Sequence, residues 1–274
     1  MNLKKSIPLF WWSSVKFEKK QSENFGDIVG PYLIKKITGV GSRFVQPKKR
    51  SLTDYFTKVY FTVGSILQHA DSNSIVWGSG LIDALTTIKK AKFLAVRGPR
   101  TRQILINQGH DVPEIYGDPA LLLPKFYNPK VQPKFSIGIV PHYVDYGLVC
   151  EIYKSIPEIK VINLLDNSVE SVVNQIISCE SIISSSLHGL IVAHAYGKPT
   201  IWVKFSEKIF GDGIKFFDYL ESVSKYELTV IELNKGLNLS EIKELFSKKG
   251  FKIEPKSIEN LQKGLIDSCP FINF

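Results

Sequence analysis

SSSLHGLIVAHAYGKPTIWV, Ser184 to Val203, decides the reading of the fold. A small-residue run and a histidine precede an apolar segment, and a Gly-Lys-Pro turn follows it. The flanking stretches SIIS and TIWV have the composition of short buried strands. The unit therefore reads strand, loop, helix, turn, strand. It places His188 at a strand's carboxyl end, beside a helix amino terminus, where anions and reactive groups are commonly held.

The same alternation recurs along the chain. PLFWW reads as a strand and DIVGPYLIKKITG as a helix stopped near Gly39. KVYFTVGSIL, SIVWGSG and KFLAVRG supply further strands. PRTRQILINQG is a helix with Pro99 in its first turn and Gly109 at its stop. EIYGDPALLLP closes this half. FYNPKVQPKF, Phe126 to Phe135, is Pro-rich and polar and reads as a linker. A second series follows through SIGIVPHY, a helical segment, KVINLL, a polar helix over Val169 to Ile177, and the opening unit. Two amphipathic helices, SEIKELFSKKGF and SIENLQKGLID, end the pattern. Strands alternating with helices mean parallel sheets covered on both faces. The expectation is an α/β protein of two Rossmann-like domains, residues 1–130 and 131–274, facing a cleft. Ligands would then sit off the strands' carboxyl ends. No internal repeat or low-complexity tract is visible.

Composition narrows the classes. With 44% hydrophobic and 22% charged residues the chain can bury a core, which excludes global disorder. No apolar run approaches the roughly 18 residues of a membrane span. KKSIPLFWW, residues 4–12, lacks the length and cleavage site of a signal peptide and reads as a first strand, so a cytoplasmic protein is expected. The net charge of +9 comes from scattered lysines, with small clusters at Lys48-Lys49-Arg50 and Lys248-Lys249. It suits a solvated surface, an anionic small substrate or an anionic membrane face. No basic and aromatic stripe resembles a nucleic-acid module, so no nucleic-acid partner is expected. Cys150, Cys179 and Cys269 lie far apart, which predicts neither a disulfide framework nor a structural metal.

Six loops carry candidate chemistry. In NFGD, Asn24, Gly26 and Asp27 precede a helix. Asp27 reads either as its cap or as an acid able to deprotonate a hydroxyl. WGSG, with Ser79 and Gly80, lets backbone approach a ligand but has no dinucleotide or P-loop spacing. Arg97 ends an apolar strand before a Gly-Pro turn, so its head should point into the cleft mouth. Its permanent charge needs an anion there, either a carboxylate such as Asp118 or a substrate phosphate or carboxylate. Asp118, between Gly117 and Pro119, reads as a turn residue or as a holder of an arginine or a sugar hydroxyl. In SSLHG, Ser185, Ser186, Leu187, His188 and Gly189 bring hydroxyls, backbone N–H groups and a helix dipole to one point. His188 there reads either as structural or as a proton donor. His142, in PHYVD, sits at another cleft-facing strand end, and His194 reads as a packed residue.

In order, N-x-G-D, W-G-S-G, V-R-G-P-x-T, Y-G-D-P-A-x-L-L-P, P-H-Y-x-D, S-S-L-H-G-x-x-x-A-x-A-x-G-x-P and G-D-G-x-K-F-x-D-Y resemble the polysaccharide pyruvyl transferase family, from about Asn24 to Leu220. The resemblance implies transfer of a pyruvyl group from phosphoenolpyruvate to two hydroxyls of one sugar, giving a cyclic ketal and phosphate. The acceptor would be a bacterial surface polysaccharide or its lipid-linked precursor, and the enzyme could work at the membrane's inner face. The implied fold resembles the GT-B glycosyltransferases. Phosphoenolpyruvate is then a co-substrate, with no other cofactor and no metal. Arg97, Ser185, Ser186, Leu187 and Gly189 would bind the donor, His188 would protonate its C3, and Asp27 would take the hydroxyl proton. Asn24, Gly26, Ser79, Gly80, Asp118, His142 and Lys215 would line the cleft or the acceptor side. Some members have arginine where this chain has Ser186, and Lys204 or Lys215 would compensate. Three other readings remain open. One is a nucleotide-sugar glycosyltransferase with Glu207 or Asp212 on the ribose. The others are a non-catalytic glycan-binding relative and an anion-binding regulatory module.

Overall fold

The computed structural model describes residues 6–224, 229–233 and 235–271. Lys4 and Lys5 of the amino-terminal stretch lie outside them. Among the described residues, ten strands form two parallel sheets. The first half runs β1 (Ile7–Phe10), α1 (Ser14–Glu18), α2 (Phe25–Thr38), β2 (Ser42–Phe44), β3 (Val59–Phe61), β4 (Ser74–Trp77), β5 (Lys92–Ala95), α3 (Pro99–Asn107) and α4 (Leu123–Phe126). The second runs β6 (Phe135–Val140), α5 (Tyr146–Tyr153), β7 (Ile159–Val161), α6 (Val169–Ile177), β8 (Cys179–Ser184), α7 (Leu187–Ala195), β9 (Thr200–Lys204), α8 (Ile214–Ser222), β10 (Ile231–Glu232), α9 (Leu239–Lys249) and α10 (Pro255–Asp267). None of the described helices is long and apolar enough to cross a membrane.

The strand orders are β2-β1-β3-β4-β5 and β10-β9-β8-β6-β7. Numbered from its own first strand, the second sheet repeats the order of the first. Each therefore reverses its winding between its first and third strands, β1/β3 and β6/β8. In open parallel sheets a crevice opens there, beyond the strands' carboxyl ends.

Local chemistry accounts for the helices flanking these crevices. Helix α2 starts after Asn24, which is extended at φ −79° and ψ 130°, and stops at Gly39, whose φ of 71° is left-handed. Asp27 therefore sits inside the first turn of α2 and does not cap it. Helix α6 is capped by Ser168, whose side chain accepts from the Ser171 N–H. Helix α7 has an almost wholly apolar surface and is buried along most of its length between β8 and the rest of the core.

One apolar cluster spans both halves, joining Leu9, Phe25, Val29 and Trp77 to Val140, Ile162, Leu187 and Ile191. The loop before α2 zips onto the loop after β7, with the Phe25 N–H donating to the Leu164 carbonyl at 2.7 Å. Helix α10 returns to the first half. The Trp77 indole N–H donates to the Leu265 carbonyl at 2.9 Å, and Gln262 Nε2 donates to the Leu121 carbonyl at 2.7 Å. Trp77→Phe keeps an aromatic ring but removes the shorter of the Leu265 carbonyl's two side-chain bonds, leaving the 3.3 Å bond from Ser268 Oγ. The expected cost is about 0.5–1.5 kcal/mol, read as a lower urea midpoint at unchanged slope.

Candidate functional site

The two crevices face each other and enclose a cavity of about 420 Å³. From the first half come Trp12, Glu18, Asn24 and Asp27 after β1, then Ser65 and Gln68 after β3. From the second half come His142 and Tyr143 after β6, Ser186 to His188 after β8, and Phe210 and Lys215 after β9. Both pocket carboxylates, Glu18 and Asp27, thus belong to one half. The pocket's lysine and both its histidines belong to the other.

The serine run divides its labour. Ser184 Oγ accepts from the Ser186 N–H at 3.0 Å and bonds the Val140 carbonyl, so it braces the strand end. Ser185 is buried, and its Oγ accepts from the His142 N–H at 2.9 Å, tying the PHYVD loop to the SSLHG loop. Ser186 precedes α7 without capping it through its side chain. The first-turn N–H groups of Leu187, His188 and Gly189 have no carbonyl of their own helix to bond, and Leu187 and His188 line the cavity. Gly189 packs against Ser184 Oγ and Val140, where a side chain would not fit.

His188 lies between the halves. Its Nε2 is 3.6 Å from Asp118 Oδ2, and neither atom has a hydrogen-bond partner although both are buried. Asp118 Oδ1 accepts from the Ala120 N–H at 2.9 Å, which fixes the carboxylate behind the imidazole. The other side of the ring lies on Gly26, where any β-carbon would overlap it. Asp118 and Gly26 therefore set the imidazole's place and do not line the cavity.

Asp27 accepts from Asn24 Nδ2 at 2.9 Å. Burial pushes its carboxyl up to about 7, against the opposing pull of Asn24 and His188. Burial, then the nearby Arg97 charge, brings Lys215 down to about 8. Burial and Lys215 hold His142 neutral, at about 4. Glu18 accepts from the Trp12 indole at 2.7 Å and from the Tyr143 hydroxyl at 2.8 Å, a bond between the halves. Gln68 Oε1 is buried without a partner.

Arg97 departs from expectation. The sequence places its head at the cleft mouth, but the structure buries it completely. Nε donates to Asp218 Oδ2 at 2.9 Å, NH1 to Ser65 Oγ at 2.6 Å and NH2 to the Leu81 carbonyl at 2.8 Å. The partner is Asp218 of α8, not Asp118. Asp218 also accepts from the Thr101 N–H and hydroxyl at 2.8 and 2.7 Å. Gly80 lies under the guanidinium, Ser79 is buried beside it, and Gly98 meets the Asp218 backbone, leaving no room for side chains at either glycine. Arg97 reaches the cavity only through Ser65.

Three further expectations resolve. Lys204 pairs with Glu207 and does not line the cavity, whereas Lys215 lines it. Asp212 accepts from the Ala84 and Ile214 N–H groups, which spends it on loop structure. His194 is packed, bonded to Tyr219 and Thr200, and burial depresses it to about 3. Trp12, Glu18 and Gln68 carry no motif and escaped sequence reasoning, and Tyr143, although it stands in PHYVD, was not singled out there. Asp218 had a signal, as the second acid of G-D-G-x-K-F-x-D-Y.

Removing one member of the Arg97–Asp218 pair strands a buried charge. Arg97→Ala should lose about 3–5 kcal/mol of stability by urea unfolding. Arg100→Ala, which breaks an exposed pair with Glu221, should lose about 1 kcal/mol or less.

The polysaccharide pyruvyl transferase family profile matches residues 40–207. Asp27, Lys215 and Asp218 fall outside that stretch. An uncharacterised protein, L143 of Acanthamoeba polyphaga mimivirus, is 37% identical over 190 residues, covering 64% of this chain and 66% of that relative, just under two thirds of its length. No solved structure matches the chain. A cavity built between two parallel sheets from the NFGD, PHYVD and SSLHG loops thus accompanies a profile match over more than half the chain, and the chain belongs to the polysaccharide pyruvyl transferase family.

Proposed function

We propose that the protein transfers the pyruvyl group of phosphoenolpyruvate to two hydroxyls of one sugar, in a polysaccharide or its lipid-linked precursor, and that its halves pair as in a GT-B enzyme. The observation that carries this reading is the division of polarity across the cavity. The second half offers cationic and N–H groups, at α7 and Lys215. The first half offers acceptors, at Glu18, Asp27 and the orphaned Gln68 Oε1, beside the Trp12 ring. A donor with about three negative charges and no hydroxyl suits the former. A polyol with an apolar ring face suits the latter.

The reacting atoms would meet where His188 and Asp27 converge. His188 protonates C3 of the donor, and Asp118 behind the ring stabilises the imidazolium. C2 becomes electrophilic, and a sugar hydroxyl attacks it while Asp27 takes its proton. The C2–O bond to phosphate then breaks, and the second hydroxyl attacks C2. Its proton leaves with the phosphate. One hydroxyl proton thus replaces the one given to C3, and the other ends on phosphate. Lys215 and the α7 N–H groups hold the phosphate and carboxylate, the role sequence gave to Arg97. This chemistry calls for no metal. Of the ribose contacts a nucleotide-sugar enzyme would need, Asp212 accepts from two backbone N–H groups, and neither it nor Glu207 lines the cavity.

Incubation with phosphoenolpyruvate and a panel of aryl and lipid-linked sugars should yield the pyruvyl ketal by mass, with equimolar phosphate. His188→Ala and Asp27→Asn should each lower turnover at least about 10²-fold, and Lys215→Ala should chiefly raise KM for the donor. Normal turnover in both of the first two variants, or thermal stabilisation by nucleotide sugars but not by phosphoenolpyruvate, overturns the assignment.

The pH dependence follows from the two displaced groups. Asp27 must be ionised to accept a proton, so kcat/KM should rise with pH through about 7. Lys215 must be charged to hold the donor, so kcat/KM should fall above about 8. Lys215→Arg should remove the lysine's contribution to the upper limb, because arginine stays protonated throughout, and should leave in place the need for a protonated His188.

A further inference from the structure

Four large apolar side chains among the described residues are more than three-quarters exposed, and two of them, Leu52 at 95% and Phe56 at 85%, lie in one short stretch. Tyr55, 63% exposed, packs edge-on against Phe56 between them. The stretch connects β2 to β3 through two single 3-10 turns, Pro47–Lys49 and Leu52–Asp54, on the outer edge of the first sheet. It is held firmly. Asp54 bonds both terminal nitrogens of Arg43, and Arg50 donates to Asp71 and to the carbonyls of Tyr55 and Thr57. The acid and the arginine of the stretch are therefore paired, whereas Lys48, Lys49 and Lys58 in the same stretch stand exposed. None of these residues lines the cavity.

We infer that this tip is a docking element for an anionic membrane surface. Leu52, Tyr55 and Phe56 enter the boundary between headgroups and acyl chains, and Lys48, Lys49 and Lys58 meet anionic headgroups. An exposed apolar tip in a stretch that also exposes three lysines fits such a surface on both counts. A second copy of the chain fits poorly, because two such stretches meeting face to face would bring their lysines together. The chain's net charge of +9 favours the same partner.

The test uses the full chain and two kinds of vesicle, phosphatidylcholine alone and phosphatidylcholine mixed with phosphatidylglycerol. At low salt the protein should sediment with the mixed vesicles only, and added salt should release it. Lys48→Glu/Lys49→Glu should abolish sedimentation, and Leu52→Asp/Phe56→Asp should weaken it about ten-fold or more. Both variants should keep the wild-type melting temperature. Three results overturn the inference: the wild type sediments with neither vesicle, the variants bind like the wild type, or the chain elutes as a dimer that Leu52→Asp/Phe56→Asp dissociates.

Discussion

Arg97 carries a permanent charge into the middle of the protein, and both halves are arranged to neutralise it. Its guanidinium comes from the end of the first sheet and its carboxylate from α8 in the second half. Asp218 gathers three donors, one from Arg97 and two from Thr101, at 2.7–2.9 Å. A guanidinium cannot shed its proton to escape a dry site, so the contact must stay closed. Gly98 allows the close approach by presenting no side chain to the α8 backbone. Lys215 precedes Asp218 by one turn of the same helix. The pair that joins the halves thereby also sets the position of the cavity's lysine, and the Arg97 charge helps lower that lysine's affinity for its proton.

The cavity follows from the sheets' topology. Both sheets reverse their winding at the same place in their strand order, and both reversals open toward each other. Loops after β1 and β3 meet loops after β6 and β8. Because the two sets differ in charge, the enclosed space is electrically lopsided before any ligand enters. His188 stands at the boundary, resting on Gly26 of the first half and backed by the Asp118 carboxylate.

Much of this was legible in the amino-acid order, and the remainder was not for a physical reason. Val169–Ile177 and the SSSLHG unit emerge where expected, because periodic burial and capping are local. Strands β2 and β10 are three and two residues long, too short to leave a periodic trace. Arg97 could be recognised as a buried cation in need of an anion. Which acid would answer was invisible, since Asp218 lies 121 residues away and Asp118 was nearer in sequence. The Trp12–Glu18–Tyr143 chain of bonds exists only once the halves close. Lys215 stands in G-D-G-x-K-F-x-D-Y and is expected along the cleft, where it lines the cavity.

The contact between Trp77 and Leu265 bears on how the protein is made. The ribosome finishes the first sheet early, yet the indole of its fourth strand finds its carbonyl partner only after 188 further residues have been added. Until then a large aromatic face of the nascent chain remains uncovered. Vectorial synthesis therefore cannot deliver a finished amino-terminal half followed by a carboxyl-terminal one. The early sheet must wait, partly dressed, for the last helix to arrive.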